Sequence, residues 1–95
     1  MAVYAIAQGH IENREQFDEY LAHSGPTIEA HNVKLLAVDE VPVEIEGAMD
    51  YPRTVILEFE SEDHFYRWYD SPEYTAARKF REGASVGRFI LVRGL

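Results

Sequence analysis

Seven residues, Arg53-Thr-Val-Ile-Leu-Glu-Phe59, restrict the fold more than any other stretch of the chain. In an extended strand Val55, Leu57 and Phe59 point to one side, and Thr54, Ile56 and Glu58 to the other. A strand with one wet face needs apolar bulk on its dry side only. Apolar residues on both sides therefore call for a sheet that is covered twice.

Other elements fall into place around that strand. Residues 2–8 alternate Val3, Ala5 and Ala7 against Tyr4, Ile6 and Gln8, which reads as a first strand. Asn13 caps a helix whose apolar face runs through Phe17, Tyr20, Leu21, Ser24 and Ile28. Gly25-Pro26 falls inside it. Proline removes a backbone donor, so a kink or a break into two helices is expected near residue 25. Asn32 suits the left-handed turn that ends a helix.

A second strand is read over Val33–Glu40, with Val33, Leu35 and Ala37 on one side and Leu36 and Val38 on the other. Val41–Glu46 either continues it past Pro42 or forms a short edge piece. Ser61 then caps a helix that carries Phe65, Trp68 and Tyr69 on one face. Ser71-Pro72 restarts the helix, with Ala76, Ala77, Phe80 and Ala84 inward and Gly83 as its stop. Val86–Gly94 is the last strand, apolar on both sides through Phe89 and Leu91 and through Ile90 and Val92.

The order β-α-β-β-α-β is the ferredoxin-like arrangement of the α+β class. A single domain over residues 1–95 is expected, with four antiparallel strands and all helices on one face. The other face then holds Ile6, Ile56, Leu36 or Val38, and Ile90 or Val92. Leaving such side chains wet forgoes roughly 1.5–3 kcal/mol each relative to burial. A second copy across a two-fold axis is the simplest cover, so a homodimer joined sheet face to sheet face is expected.

Charge narrows the partners. A net charge of −8 and an isoelectric point near 4.8 repel nucleic acid and anionic lipid alike, so neither is an expected partner. With no cysteine, disulfides, thiolate catalysis and cysteine-bound metals are excluded. The opening run Ala2–Ala7 is too short to span a membrane and lacks a basic leader, so a soluble cytoplasmic protein is expected.

Three stretches resemble a known family. They are Arg53-Thr-Val-Ile-Leu-Glu-Phe59, then Trp68-Tyr-Asp-Ser-Pro-Glu-Tyr74, then Arg81-Glu-Gly-Ala-Ser85, with Pro26-Thr-Ile28 and Glu46-Gly47 in support. They are similar to the domain-of-unknown-function family numbered 1330, of the dimeric α/β-barrel superfamily. The resemblance covers essentially the whole chain and implies the ferredoxin-like fold and the dimer, but no reaction and no catalytic residues. Where the family has a Gly-Gly pair before its second strand, this chain has His31-Asn32. Small monooxygenases, haem-degrading enzymes and lactone isomerases share the superfamily, which is analogy and not assignment.

Residue chemistry suggests candidates for a site. Glu58 shares a strand side with Ile56; a carboxylate among apolar side chains is a proton-transfer candidate, its competing role a salt bridge. Arg78 and Arg81 share a helix face and could hold a carboxylate by forked hydrogen bonds, unless Glu73 or Glu82 neutralises them. Trp68, Tyr69 and Tyr74 could line a pocket for an aromatic ligand or serve as core. Ser71 is accounted for as a cap. His10, His23, His31 and His64 show no metal-binding spacing, and no glycine-rich phosphate loop is present, so no metal or cofactor is expected.

Two functions fit. One is a cofactor-free enzyme, monooxygenase- or isomerase-like, acting on a small organic acid or aromatic through Glu58 and Arg81, with Trp68, Tyr69, Tyr74 and Arg78 binding the ligand. The other is a dimeric module that binds a small ligand, or only itself, without catalysis.

Overall fold

The computed structural model describes residues 1–95. Its elements are β1 (Val3–Ile11), α1 (Arg14–Ala30), β2 (Lys34–Asp39), β3 (Arg53–Phe59), α2 (Glu62–Tyr69), α3 (Pro72–Arg81) and β4 (Ser85–Arg93). The strands form one antiparallel sheet in the order β2-β3-β1-β4, the ferredoxin-like topology. The Cα envelope measures 33 × 32 × 16 Å, room for one sheet and one helical layer.

The helices begin where the caps require. Asn13, Ser61 and Ser71 each accept a hydrogen bond from the backbone N–H three residues on, which satisfies a donor that the helix itself cannot. Asn32 adopts φ 56° and Gly83 φ 78°, so both chain reversals use the left-handed region as expected.

α1 is not split at Gly25-Pro26: it runs unbroken from Arg14 to Ala30. Pro26 and Ala22 both lie on the exposed side, so the carbonyl that loses its donor faces water. The buried side of the same turns is tied down. Thr27 Oγ1 donates to the Ser24 carbonyl (2.6 Å) and accepts from Trp68 Nε1 (3.0 Å).

The second strand also departs from strict alternation. Its pairing with β3 shifts between Leu35 and Ala37, so Leu35 pairs with Leu57, Ala37 with Ile56 and Val38 with Val55. The bulge moves Val38 to the helix side and Ala37 to the open side, which reverses the sides expected for both. Residues 41–46 form neither a continuation of β2 nor an edge strand.

The core lies between the sheet and α2–α3. Phe59 packs at 5.1 Å from Phe65 and 5.5 Å from Trp68, ring centroid to centroid, and Trp68 at 4.0 Å from Tyr74. Val3, Ala5 and Leu57 form its floor. His64 stitches the far end: Nδ1 accepts from the Glu60 N–H (3.0 Å) and Nε2 donates to the His31 carbonyl (2.6 Å).

The opposite face carries no helix. Ile90 is 52% and Val92 40% exposed there, beside half-buried Ile6 and Ile56. No helix is long and apolar enough to cross a membrane.

Thr27→Val should keep the shape of the core but leave the Trp68 indole N–H without a partner, at a cost of about 1–3 kcal/mol. Urea unfolding followed by tryptophan fluorescence measures it; an unchanged midpoint would refute the structural role of this bond.

Candidate functional site

The helix-facing residues of β1 shrink along the strand, from Val3 through Ala5 and Ala7 to Gly9. Gly87 stands opposite Gly9 on β4, so close that a Cβ there would lie 2.1 Å from the Gln8 carbonyl oxygen. Helices cannot follow a floor that falls away like this. The result is a cleft of about 410 Å³ between α1, α3 and the sheet.

Its walls are largely apolar. α1 contributes Phe17, Leu21 and Ile28, at helical spacing on one face, and the sheet contributes Val55, Leu57, Phe89, Leu35 and Val38. Leu35 and Val38 both reach it because of the bulge in β2. No aspartate, glutamate or histidine is among the lining residues.

Polar groups converge at one end. Tyr20 and Tyr74 share a hydrogen bond between hydroxyls of 2.7 Å, and Arg81 Nη1 reaches the Tyr74 oxygen at 3.5 Å. Trp68 and Tyr74 form the adjoining wall, and the Arg81 guanidinium stands 5.6 Å from the Tyr20 ring centroid. When Arg81 donates to Tyr74 and Tyr74 donates onward to Tyr20, the Tyr20 O–H is the donor left for a ligand.

Burial is the main cause that raises the Tyr74 pKa far above the usual phenol range, with Tyr20 adding to it and Arg81 opposing it. Tyr74 is therefore a neutral donor and not a base. Burial pulls the Arg81 pKa down, but the oxygens of Tyr74, Tyr20 and Tyr69 outweigh it, and the guanidinium stays charged.

Neither Arg78 nor Arg81 is neutralised. The ion pairs of the chain lie elsewhere, and Glu73 is bound to His31 at 3.0 Å. Arg53, also on the cleft, is held by Glu40 at 3.4 Å and stacks over Phe17 at 4.9 Å, so its charge is satisfied. Arg81 is thus a partly buried cation on an apolar cleft with no anion beside it.

The remaining candidates scatter. Arg78 lies 4.1 Å over the Tyr69 ring, with its Nε buried and unpartnered, and neither residue lines the cleft. Glu58 is on the opposite face of the sheet, in register with Tyr4 and paired to Lys34 at 3.4 Å. The structure therefore brings together Arg81, Trp68 and Tyr74, and leaves Glu58 outside. Tyr20 was legible only as part of a helical apolar face; its signal is the hydroxyl, which a buried stripe must pair.

Similarity to other proteins agrees with this architecture. The family model described as Domain of unknown function (DUF1330) matches residues 2–95. The RPA0582 protein of unknown function from Rhodopseudomonas palustris is similar in structure, with TM-score 0.81 and 21% identity over 99% of this chain and 82% of that one. SnoaB, a cofactor-independent oxygenase from Streptomyces nogalater, gives 0.67 and 13% over 99% and 93%. A dabb family protein with a ferredoxin-like fold from Mesorhizobium loti gives 0.64 and 14% over 99% and 95%. At these identities the solved structures establish the fold alone. No curated protein matches the chain.

A raised pKa in the folded state means that folding holds the Tyr74 proton. That contribution is complete below the unfolded value of 10.0 and is lost as pH climbs above it. Stability should fall above pH 10 less steeply in Tyr74→Phe than in the parent, as urea midpoints across pH 9–11.5 would show. Equal slopes would contradict the burial of this hydroxyl.

Proposed function

The chain belongs to the DUF1330 family, and from that premise we propose that it is a homodimer that binds a small organic acid with an aromatic or apolar body in the cleft. One observation carries this reading: Arg81, partly buried against Tyr20 and Tyr74, faces an apolar cleft with no carboxylate in its lining. A charge kept dry without a counter-ion is costly, and an anionic ligand removes that cost.

In this reading Arg81 and the Tyr20 hydroxyl hold the anionic oxygen, while Trp68, Phe17 and Leu57 take the apolar body. Arg78 and Tyr69 support the site from behind α3 and touch no ligand. Glu58 has no part in it.

A cofactor-free enzyme, monooxygenase- or isomerase-like, is the second reading. It is favoured by the fold shared with SnoaB and by donors placed to stabilise a developing oxyanion. No carboxylate or histidine in the cleft serves as a general base, so such a reaction would suit a substrate that is readily acidic by itself. This absence is why binding is the primary reading.

Calorimetric titration with benzoate and phenylacetate, against benzamide as neutral control, tests it. The acids should bind more tightly than the amide, and Arg81→Met should lose roughly 10- to 150-fold in their affinity, the worth of a charged hydrogen bond. Equal affinity for acid and amide, or no loss in the variant, would defeat the proposal.

The dimer is tested separately. Ile56→Asp sets a lone charge in the open face, and sedimentation should find a monomer in place of the parental dimer. An intact dimer in that variant would count against sheet-to-sheet association.

A further inference from the structure

α1 leaves a gap in the wall of the cleft. Leu21, Gly25 and Ile28 lie along one edge of the helix and all line the cleft, but the middle position has no side chain. A Cβ on Gly25 would meet nothing within 4 Å. Locally the arrangement is unfavourable. Pro26 forfeits a helical hydrogen bond, and the residue before a proline resists the helical conformation least when it is glycine. What Gly25-Pro26 produces is an opening in the apolar row that faces the edge strand β2.

The far side of that opening is equally apolar and unfinished. Leu35 and Val38 of β2 line it and stay 53% and 49% exposed, while Val55 and Leu57 beside them on β3 form the floor. Every side chain here is aliphatic. The aromatic side chains Tyr20, Trp68 and Tyr74 gather instead around Arg81. The cleft therefore has a charged head with aromatic walls and an aliphatic arm.

Its dimensions are those of a chain. The residues that α1 gives to the cleft run from Phe17 to Ile28, about 16 Å at the helical rise. A volume of about 410 Å³ over that length has a mean cross-section of roughly 25 Å², little more than one extended alkyl chain. From Tyr20, beside Arg81, to Ile28 the row covers about 12 Å, the length of roughly nine or ten methylenes.

We propose that the cleft takes an unbranched alkanoic acid of about ten to twelve carbons, its carboxylate at Arg81 and Tyr20 and its tail running past Gly25 to Ile28 and Leu35. The inference rests on the anion-binding reading above and adds the class of the acid. A tail in that position removes water from Leu35 and Val38, which the fold alone leaves half wet. A single ring at Arg81 is too short to fill the aliphatic arm.

Calorimetric titration with hexanoate, octanoate, decanoate and tetradecanoate, each below its micelle concentration, tests the class. Affinity should rise roughly threefold to fourfold per methylene up to decanoate, as a buried methylene contributes, and flatten before tetradecanoate. Pro26→Ala frees the preceding residue to carry a side chain in the helix, and in that background Gly25→Leu fills the gap. The filled variant should lose roughly tenfold or more for decanoate and far less for benzoate, with α1 intact by circular dichroism and thermal midpoint. Val38→Thr tests the opposite wall without touching α1, and should lose roughly threefold for decanoate.

The outcomes separate cleanly. Benzoate that binds through Arg81, together with alkanoates that gain nothing with length, overturns the aliphatic arm and leaves the anion site standing. A gain with length that neither Gly25→Leu nor Val38→Thr reduces puts the tail elsewhere and overturns the path. A parent that binds neither benzoate nor decanoate overturns both readings.

Discussion

The helical layer grips only half of the sheet face that it covers, and the rest of the architecture follows from that partial grip. Over Val3, Ala5, Leu57 and Phe59 the aromatic side chains of α2 and α3 close completely, and Phe59, Trp68 and Tyr74 are among the least accessible residues of the chain. Towards Ala7, Gly9 and Gly87 there is no side-chain bulk to meet the helices. α1 cannot collapse into the gap, because its Thr27 is tied to the indole of Trp68 and its Gln16 side chain donates to the Phe80 and Glu82 carbonyls at the end of α3. A void that adjoining elements cannot fill costs packing energy, and it persists when those elements are anchored elsewhere.

Anchoring also decides the electrostatics. In a chain of net charge −8, carboxylates are abundant, so an arginine without one is a matter of geometry and not of supply. Arg53 and Arg14 find Glu40 at the rim of the sheet, and His31 takes Glu73 at the start of α3. Arg81 emerges one turn after Ala77 on the side of α3 that faces α1, where its neighbours are the hydroxyls of Tyr20 and Tyr74. Neutral donors and acceptors can orient a guanidinium but cannot balance its charge. The acidic surface would repel a free anion at long range, so recognition must come from contact inside the cleft, where water is displaced and hydrogen bonds strengthen.

Much of this was legible in the sequence because local rules and global packing agreed. The caps at Asn13, Ser61 and Ser71, the turns at Asn32 and Gly83 and the two-sided strand at 53–59 each needed only nearest-neighbour chemistry. Pro26 did not break α1 because burial of Ser24 and Thr27 on the far side outweighed one lost hydrogen bond, a tertiary effect that a propensity cannot contain. The bulge in β2 was hidden for a similar reason: Leu35-Leu36-Ala37, where the register shifts against β3, has no glycine or turn residue to announce it. Glu58 was legible as a carboxylate in apolar company and Arg81 as one of two arginines sharing a helix face, but neither pattern shows which side of the sheet the residue meets. One belongs to the open face of the sheet and the other to the helix side, a distinction set by strand parity and by which face the helices choose.

Edge chemistry links the two faces. β2 forms one wall of the cleft through Leu35 and Val38 and also leads directly into the exposed run 41–46. Both wall residues remain about half exposed, because β2 is an edge strand with no neighbour on its outer side. Whatever orders that edge therefore also stiffens the mouth of the cleft, since a strand held on both sides cannot twist away from α1 without breaking its new contacts.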